Sequence, residues 1–247
     1  MLPDLRHNHA GPWWWIVPAM LFLSGNILAQ TERDSADNPP TATVLGEVLY
    51  THDPEELRYY ILGPLLDRYD ADQGIQVEAA EIDAYLESMR QTRLADRQRQ
   101  MARLAQLDRQ LSNADLNDSE RARLSTERDT VQSLLDTLAE LEASTDEDPV
   151  AEQAARREVA AAFIRHWKRH RALYRQYGGR LVQQQTGPEP LDAYRQFLEE
   201  QQDRGDFRIL DEDLARDFWR YYRDDALHDF YPPDSEAADR AFETPPW

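Results

Sequence analysis

Cysteine is absent from the 247 residues, which excludes disulfides, thiol catalysis, thiolate metal sites and a lipid-anchored cysteine. Lysine is nearly absent too: Lys168 is the only one, and every other fixed cation is arginine. Cations as a whole are scarce, 28 against 47 Asp and Glu, leaving a formal charge of −19. A polyanion would be repelled at long range, so nucleic acid is excluded as a partner. Nucleotide and hydrolase signatures are missing: there is no G-x-S-x-G, phosphate loop, dinucleotide fingerprint or H-E-x-x-H. No repeat of fixed period is visible, and the scattered carboxylates nominate no acid–base pair. What remains is a chain 41% hydrophobic and 30% charged, too apolar for wholesale disorder.

Long hydrophobic runs are also lacking, with one exception. Arg6, His7 and His9 precede Trp13–Leu23, and Ser24-Gly25-Asn26 leads to Ile27-Leu28-Ala29. This is the charged, apolar and polar order of a secretory signal, so residues 1–29 are expected to be a signal peptide. An uncleaved anchor in the inner membrane is the alternative, at the short limit for a span. The mature chain is expected in the periplasm, and membrane is a partner only if the segment stays.

Residues 30–40 end in Asn38-Pro39-Pro40 and read as a flexible leader. Thr41–Tyr50 is rich in Thr, Val and Tyr and predicts a strand. Asp53-Pro54 then opens a helix, Asp53 as N-cap and Pro54 in the first turn. Leu57, Ile61, Leu65 and Tyr69 form its stripe, and Gly63-Pro64 predicts a kink or two short helices. A further helix begins near Glu78. From Gln91 to Leu141 two thin seams, Leu94 to Leu111 and Leu124 to Leu141, flank a polar break capped by Asp118 or Ser119. They predict an antiparallel helical hairpin over 91–141.

Glu142–Pro149 reads as a linker. A helix over about 152–177 carries Val159, Phe163, Trp167, Tyr174 and Tyr177 on one stripe and stops at Gly178-Gly179. Arg180–Gln185 is a second candidate strand, and Thr186–Pro190 a turn. Leu191–Gln202 and a segment capped by Asp211 close the helical part, and 231–247 reads as a poorly ordered tail. The expected fold is mainly α: one helical body over 41–230, a short two-stranded β ribbon and a protruding antiparallel helical hairpin.

Thr43–Met89 carries a resemblance. Val44-Leu-Gly-Glu-Val-Leu-Tyr50, the helix with Tyr60-Ile-Leu62, then Gly74-Ile-Gln-Val77 and Glu81-Ile-Asp-Ala-Tyr-Leu86 run in order. This segment resembles the N-terminal chaperone module of periplasmic SurA-like proteins, related to the client-binding part of trigger factor. That family has a strand reading roughly V-N-G-E-x-I and, later, G-I-x-V-[ST]-x-x-E-I-D. Here Leu45 replaces the frequent Asn, Gly63-Pro64 interrupts the helix, and Glu78 replaces the capping Ser or Thr. The family's parvulin isomerase domain is not evident, so isomerase activity is not carried over.

The resemblance implies client binding without cofactor or metal. Phe163, Trp167, Tyr174, Tyr177, Tyr194, Phe197, Phe218, Trp219 and Tyr222 are the aromatic candidates, since aromatics offer large apolar area at low entropic cost. Helical spacing equally places most of them in a core. His166 and His170, at i and i+4, have zinc-ligand spacing. No Glu follows His166, and Arg165, Lys168, Arg169 and Arg171 surround the pair, which reads as a solvated basic face. Asp70, Asp72, Gln76, Glu78 and Glu81 approach calcium-loop spacing, but Gly74 falls one place early, and turn and cap chemistry explains them.

Three functions follow. The first is an exported, ATP-independent chaperone for unfolded or nascent envelope polypeptides, with the hairpin clasping a client or a second copy. The second is an assembly protein docking one envelope partner through the hairpin. The third, an isomerase, lacks a visible site.

Overall fold

The structure, a computed structural model, describes residues 39–143, 149–184, 187–233 and 235–247. The expected signal at 1–29, the leader up to 38 and most of the linker lie outside the described residues. The fold is mainly α. The elements are β1 (Ala42–Val44), β2 (Glu47–Leu49), α1 (Pro54–Gln73), α2 (Ala79–Leu111), α3 (Asp118–Ala143), α4 (Pro149–Tyr177), β3 (Val182–Gln184), β4 (Gly187–Glu189), α5 (Leu191–Asp203), β5 (Phe207–Ile209), α6 (Glu212–Arg223) and α7 (Glu236–Arg240). The single body expected over 41–230 is instead two compact units, Met1–Tyr69 with Leu173–Ala238, and Asp70–Ala172 with Asp239–Trp247. Among the described residues no helix is long and apolar enough to cross a membrane.

The first unit holds all five strands. Thr41–Tyr50 is not one strand but a hairpin. Leu45 (φ 49°) and Gly46 (φ 88°) both adopt the left-handed conformation of a two-residue turn whose twist matches the paired strands. β1 pairs β2 on one side and β5 on the other, both antiparallel, with Thr43 opposite Val48 and Arg208. β3 pairs β4 in a separate ribbon. The two candidate strands therefore lie in different sheets and do not pair with each other. β5, too short to announce itself between Gly205 and Asp211, supplies the missing partner.

The core of this unit is built on α1. Asp53 caps it, accepting from the backbone N–H of Glu55 (2.7 Å) and Glu56 (3.1 Å). The helix runs unbroken through Pro64, so it is one helix and not two short ones. Leu57, Ile61 and Leu65 are wholly buried on one face, and each contributes roughly 1.5–3 kcal/mol, comparable with the cost of one interior proline. Tyr69 meets Phe197 edge-on at 5.3 Å, and Phe207 packs on Phe218 at 5.8 Å. α6 starts where expected, the Asp211 carboxylate accepting from Leu214 N–H at 2.9 Å. Arg68 forks onto Asp206 (3.0 and 2.5 Å) and Gln201 (2.6 Å), tying α1 to the turn between α5 and β5.

The second unit is organised by the α2–α3 hairpin. α2 starts at Ala79 with Glu81 Oε2 accepting from Glu78 N–H at 2.8 Å, in a capping box whose N-cap is Glu78. Leu107 and Leu124 are buried on the seam between the helices. The cap of α3 is Asn117 rather than Asp118 or Ser119: its side chain accepts from Glu120 N–H at 2.9 Å. On α4 the buried stripe is Ala160, Ile164 and Trp167; of the expected stripe Trp167 is buried, Phe163, Tyr174 and Tyr177 are half-buried, and Val159 is 62% exposed.

Residues 231–247 are not a loose tail. Tyr231 N–H bonds Leu181 O at 2.9 Å in the first unit. In the second, Phe242 is buried and Trp247 meets Trp167 at 5.3 Å. Phe242 is core material, and Trp247 is half-buried against Trp167.

Candidate functional site

The nine aromatic candidates divide between the units. Tyr194, Phe197, Phe218, Trp219 and Tyr222 are buried in the first, where Tyr174 is half-buried. Trp167 is buried in the second and Phe163 half-buried, packed on Tyr85 at 5.1 Å. A side chain inside the core has no surface to offer a client in this conformation. Tyr177 donates to Glu200 at 2.9 Å, and burial followed by that carboxylate raises its pKa well above the ordinary phenol value.

The histidine pair is not on a solvated face. His170 is buried, and its ring lies 3.8 Å from that of His166 between centroids. Desolvation, reinforced by the Arg169 charge and opposed by Asp70, pushes His166 down to about 4. Two of the surrounding cations turn toward carboxylates: Arg169 forks onto Asp70 (2.8 and 2.5 Å), and Lys168 donates to Glu81 (2.6 Å) and the Gln76 carbonyl (2.6 Å), while Arg171 lies over the Trp167 ring at 5.2 Å. The same bonds engage three members of the calcium-spaced set. Among the described residues no cluster of three or more His, Asp or Glu is arranged to hold a metal.

Surface capable of receiving a polypeptide lies elsewhere, on the three-stranded sheet. Leu45 N–H bonds Asp206 O at 2.7 Å, and Leu210 N–H bonds Thr41 O at 2.8 Å. Thr43, between these two bonds, thus turns its N–H and C=O to β5, and Ala42 and Val44 turn theirs to β2, as antiparallel alternation requires, while the Thr41 N–H bonds Leu49 O at 2.8 Å. Val48, opposite Thr43, therefore turns its own N–H and C=O to the outer edge. β2 is a sheet edge with β1 as its one strand neighbour among the described residues. Val48 on β2 is 45% exposed and Leu45 at the hairpin turn 39%, while Leu210, 45% exposed, follows β5 on the opposite side of β1. Ala42 and Val44, on the other face of β1, are buried.

Large aromatic rings on helices do not point to this edge. The available signal was the alternation Thr43-Val44 and Glu47-Val48 around Leu45-Gly46, a hairpin with one apolar face and an apolar residue on the other.

No protein-family model, no curated protein and no solved structure matches this chain.

Proposed function

We propose that the protein is an exported, ATP-independent chaperone that holds unfolded or nascent envelope polypeptides in extended form. The observation that carries the reading is the open edge of β2, with Val48 presenting a backbone donor and acceptor beside exposed Leu45. An edge strand accepts another chain through main-chain bonds, which are indifferent to sequence. Neighbouring apolar side chains add area without demanding a particular residue. A holdase needs that combination, since its clients share a backbone and apolar content but no motif.

Two further points support the reading. Val44-Leu45-Gly46-Glu47 forms a tight hairpin at the position where SurA-like modules carry Asn-Gly, the pair best suited to that turn. The Trp13–Leu23 run with its flanks suits export.

The test is aggregation of an unfolded outer-membrane protein with the full chain added at equimolar ratio. Suppression is expected, and Val48→Pro should reduce it strongly. Proline there removes only the outward N–H, so β1–β2 pairing and the far-UV spectrum should persist. No suppression by the parent chain, or full suppression by the proline variant, contradicts the reading.

A further inference from the structure

Two cross-strand rows on the core side of the three-stranded sheet run out to the β2 edge and end differently. Ile209, Ala42 and Leu49 stand side by side, so that row reaches the edge apolar. Phe207, Val44 and Glu47 form the next row, which reaches the edge as a carboxylate. Leu49 is half-buried and Glu47 exposed. Among the described residues Glu47 makes no hydrogen bond or ion pair. Residues 39–57 hold Glu47, Asp53, Glu55 and Glu56 but no lysine or arginine. The sheet's own cation, Arg208, lies in the row Arg208, Thr43, Val48 on the other face, two strands from the edge.

The β3–β4 ribbon treats its edge differently. Gln183 N–H bonds Asp229 O at 2.7 Å, away from β4, so Pro188, opposite Gln183, turns its nitrogen outward. A proline there has no N–H to give a further strand. The outward position of β2 is Val48, which leaves both backbone groups available.

We propose, resting on the reading of the β2 edge given above, that its preferred occupant is an antiparallel segment of the form apolar, any residue, Lys or Arg, in that order. In an antiparallel ladder the middle residue exchanges both bonds with Val48. The residue before it then stands opposite Leu49 and prolongs the apolar row. The residue after it stands opposite Glu47, within reach of the free carboxylate. An acidic residue at that place meets a like charge and no cation. A second copy of this chain fits less well. Antiparallel pairing of two β2 strands about Val48 sets each Glu47 against a leucine and leaves both carboxylates unanswered, between chains that each carry −19.

The experiment titrates the full chain with three short fluorescent Ser/Thr/Gln peptides bearing Leu-Val-Lys, Lys-Val-Leu or Leu-Val-Glu at the centre, read by anisotropy. Leu-Val-Lys should bind about fivefold or more tighter than Leu-Val-Glu and about threefold tighter than Lys-Val-Leu. Its lead over Leu-Val-Glu should shrink as salt is raised. In Glu47→Lys the preference should pass to Leu-Val-Glu, with an unchanged far-UV spectrum because Glu47 has no partner to lose. Val48→Pro should abolish binding of all three. Equal affinities, a lead for Lys-Val-Leu, or a preference unaltered in Glu47→Lys overturns this inference and leaves the edge reading standing. Binding by none of the peptides, or binding untouched by Val48→Pro, overturns both. A parent chain that sediments as a dimer and is dissociated by Val48→Pro gives the edge to a second copy and overturns the inference as well.

Discussion

Arg180 grips Asp192 with three donors: its backbone N–H (2.9 Å) and Nε (2.9 Å) reach Oδ2, and Nη2 reaches Oδ1 (3.1 Å). The same guanidinium forks onto Asp225 (2.7 and 2.9 Å) and covers the Phe230 ring at 4.3 Å. Burial alone would raise Asp192, but the Arg180 hydrogen bonds and charge outweigh it and hold the carboxyl below its ordinary range. One side chain thereby joins the end of α4, the start of α5 and the segment after α6. This closure is possible because Gly179 (φ 93°) turns the chain against the Asp192 side chain, leaving no room for a Cβ.

Gly179→Ala is therefore expected to cost about 2 kcal/mol or more, from the left-handed backbone and the collision together. Gly178→Ala has the first problem (φ 68°) but open space around it, and should cost about 1 kcal/mol. Chemical denaturation of the two variants checks the order; equal losses would mean the contact with Asp192 is unimportant.

Leu45→Asn should stabilise the protein by about 1 kcal/mol. Leucine at φ 49° bears the steric cost of the left-handed region, which asparagine tolerates, and Asn-Gly is the preferred pair for this turn. A denaturation midpoint that falls would show that Leu45 makes contacts outweighing its backbone cost.

Acid should weaken the second unit through His166. Its folded pKa is lowered to about 4 from an ordinary 6.5. Between these values the unfolded chain binds the proton and the folded chain does not, so stability rises with pH across that window. Cooling of stability from about pH 7 to 4 should thus reach at most about 3 kcal/mol from this group, and His166→Phe should flatten the slope. Denaturation curves at stepped pH measure it; an unchanged slope in the variant assigns the acid sensitivity to other groups.

The helices were legible because their apolar periodicity is long: α1, α5 and α6 lie within a few residues of the expected bounds, and Asp53 and Asp211 cap as read. The hairpin over 91–141 was legible from two Leu seams. Its first helix extends back to Ala79, since nothing between Met89 and Gln91 breaks a helix. The sheet was not legible. Strands of three residues carry too little alternation to fix partners, and β1 finds β5 some 160 residues away only through tertiary packing. Val159 illustrates the other failure. A stripe drawn through 159 and 163 differs by one residue from the buried stripe through 160, 164 and 167, and both look apolar in sequence. Six of the nine aromatic candidates are buried because their helical spacing turns them inward, and Phe163, Tyr174 and Tyr177 are half-buried.

The central claim is that the β2 edge receives an extended polypeptide, and backbone hydrogen exchange reads it at the atoms concerned. The Val48 amide of the full chain should exchange quickly when free and be protected about tenfold or more when an unfolded outer-membrane protein is bound, while the Val44 amide, already in the ladder, changes little. Unaltered exchange at Val48 with a client bound would contradict the account.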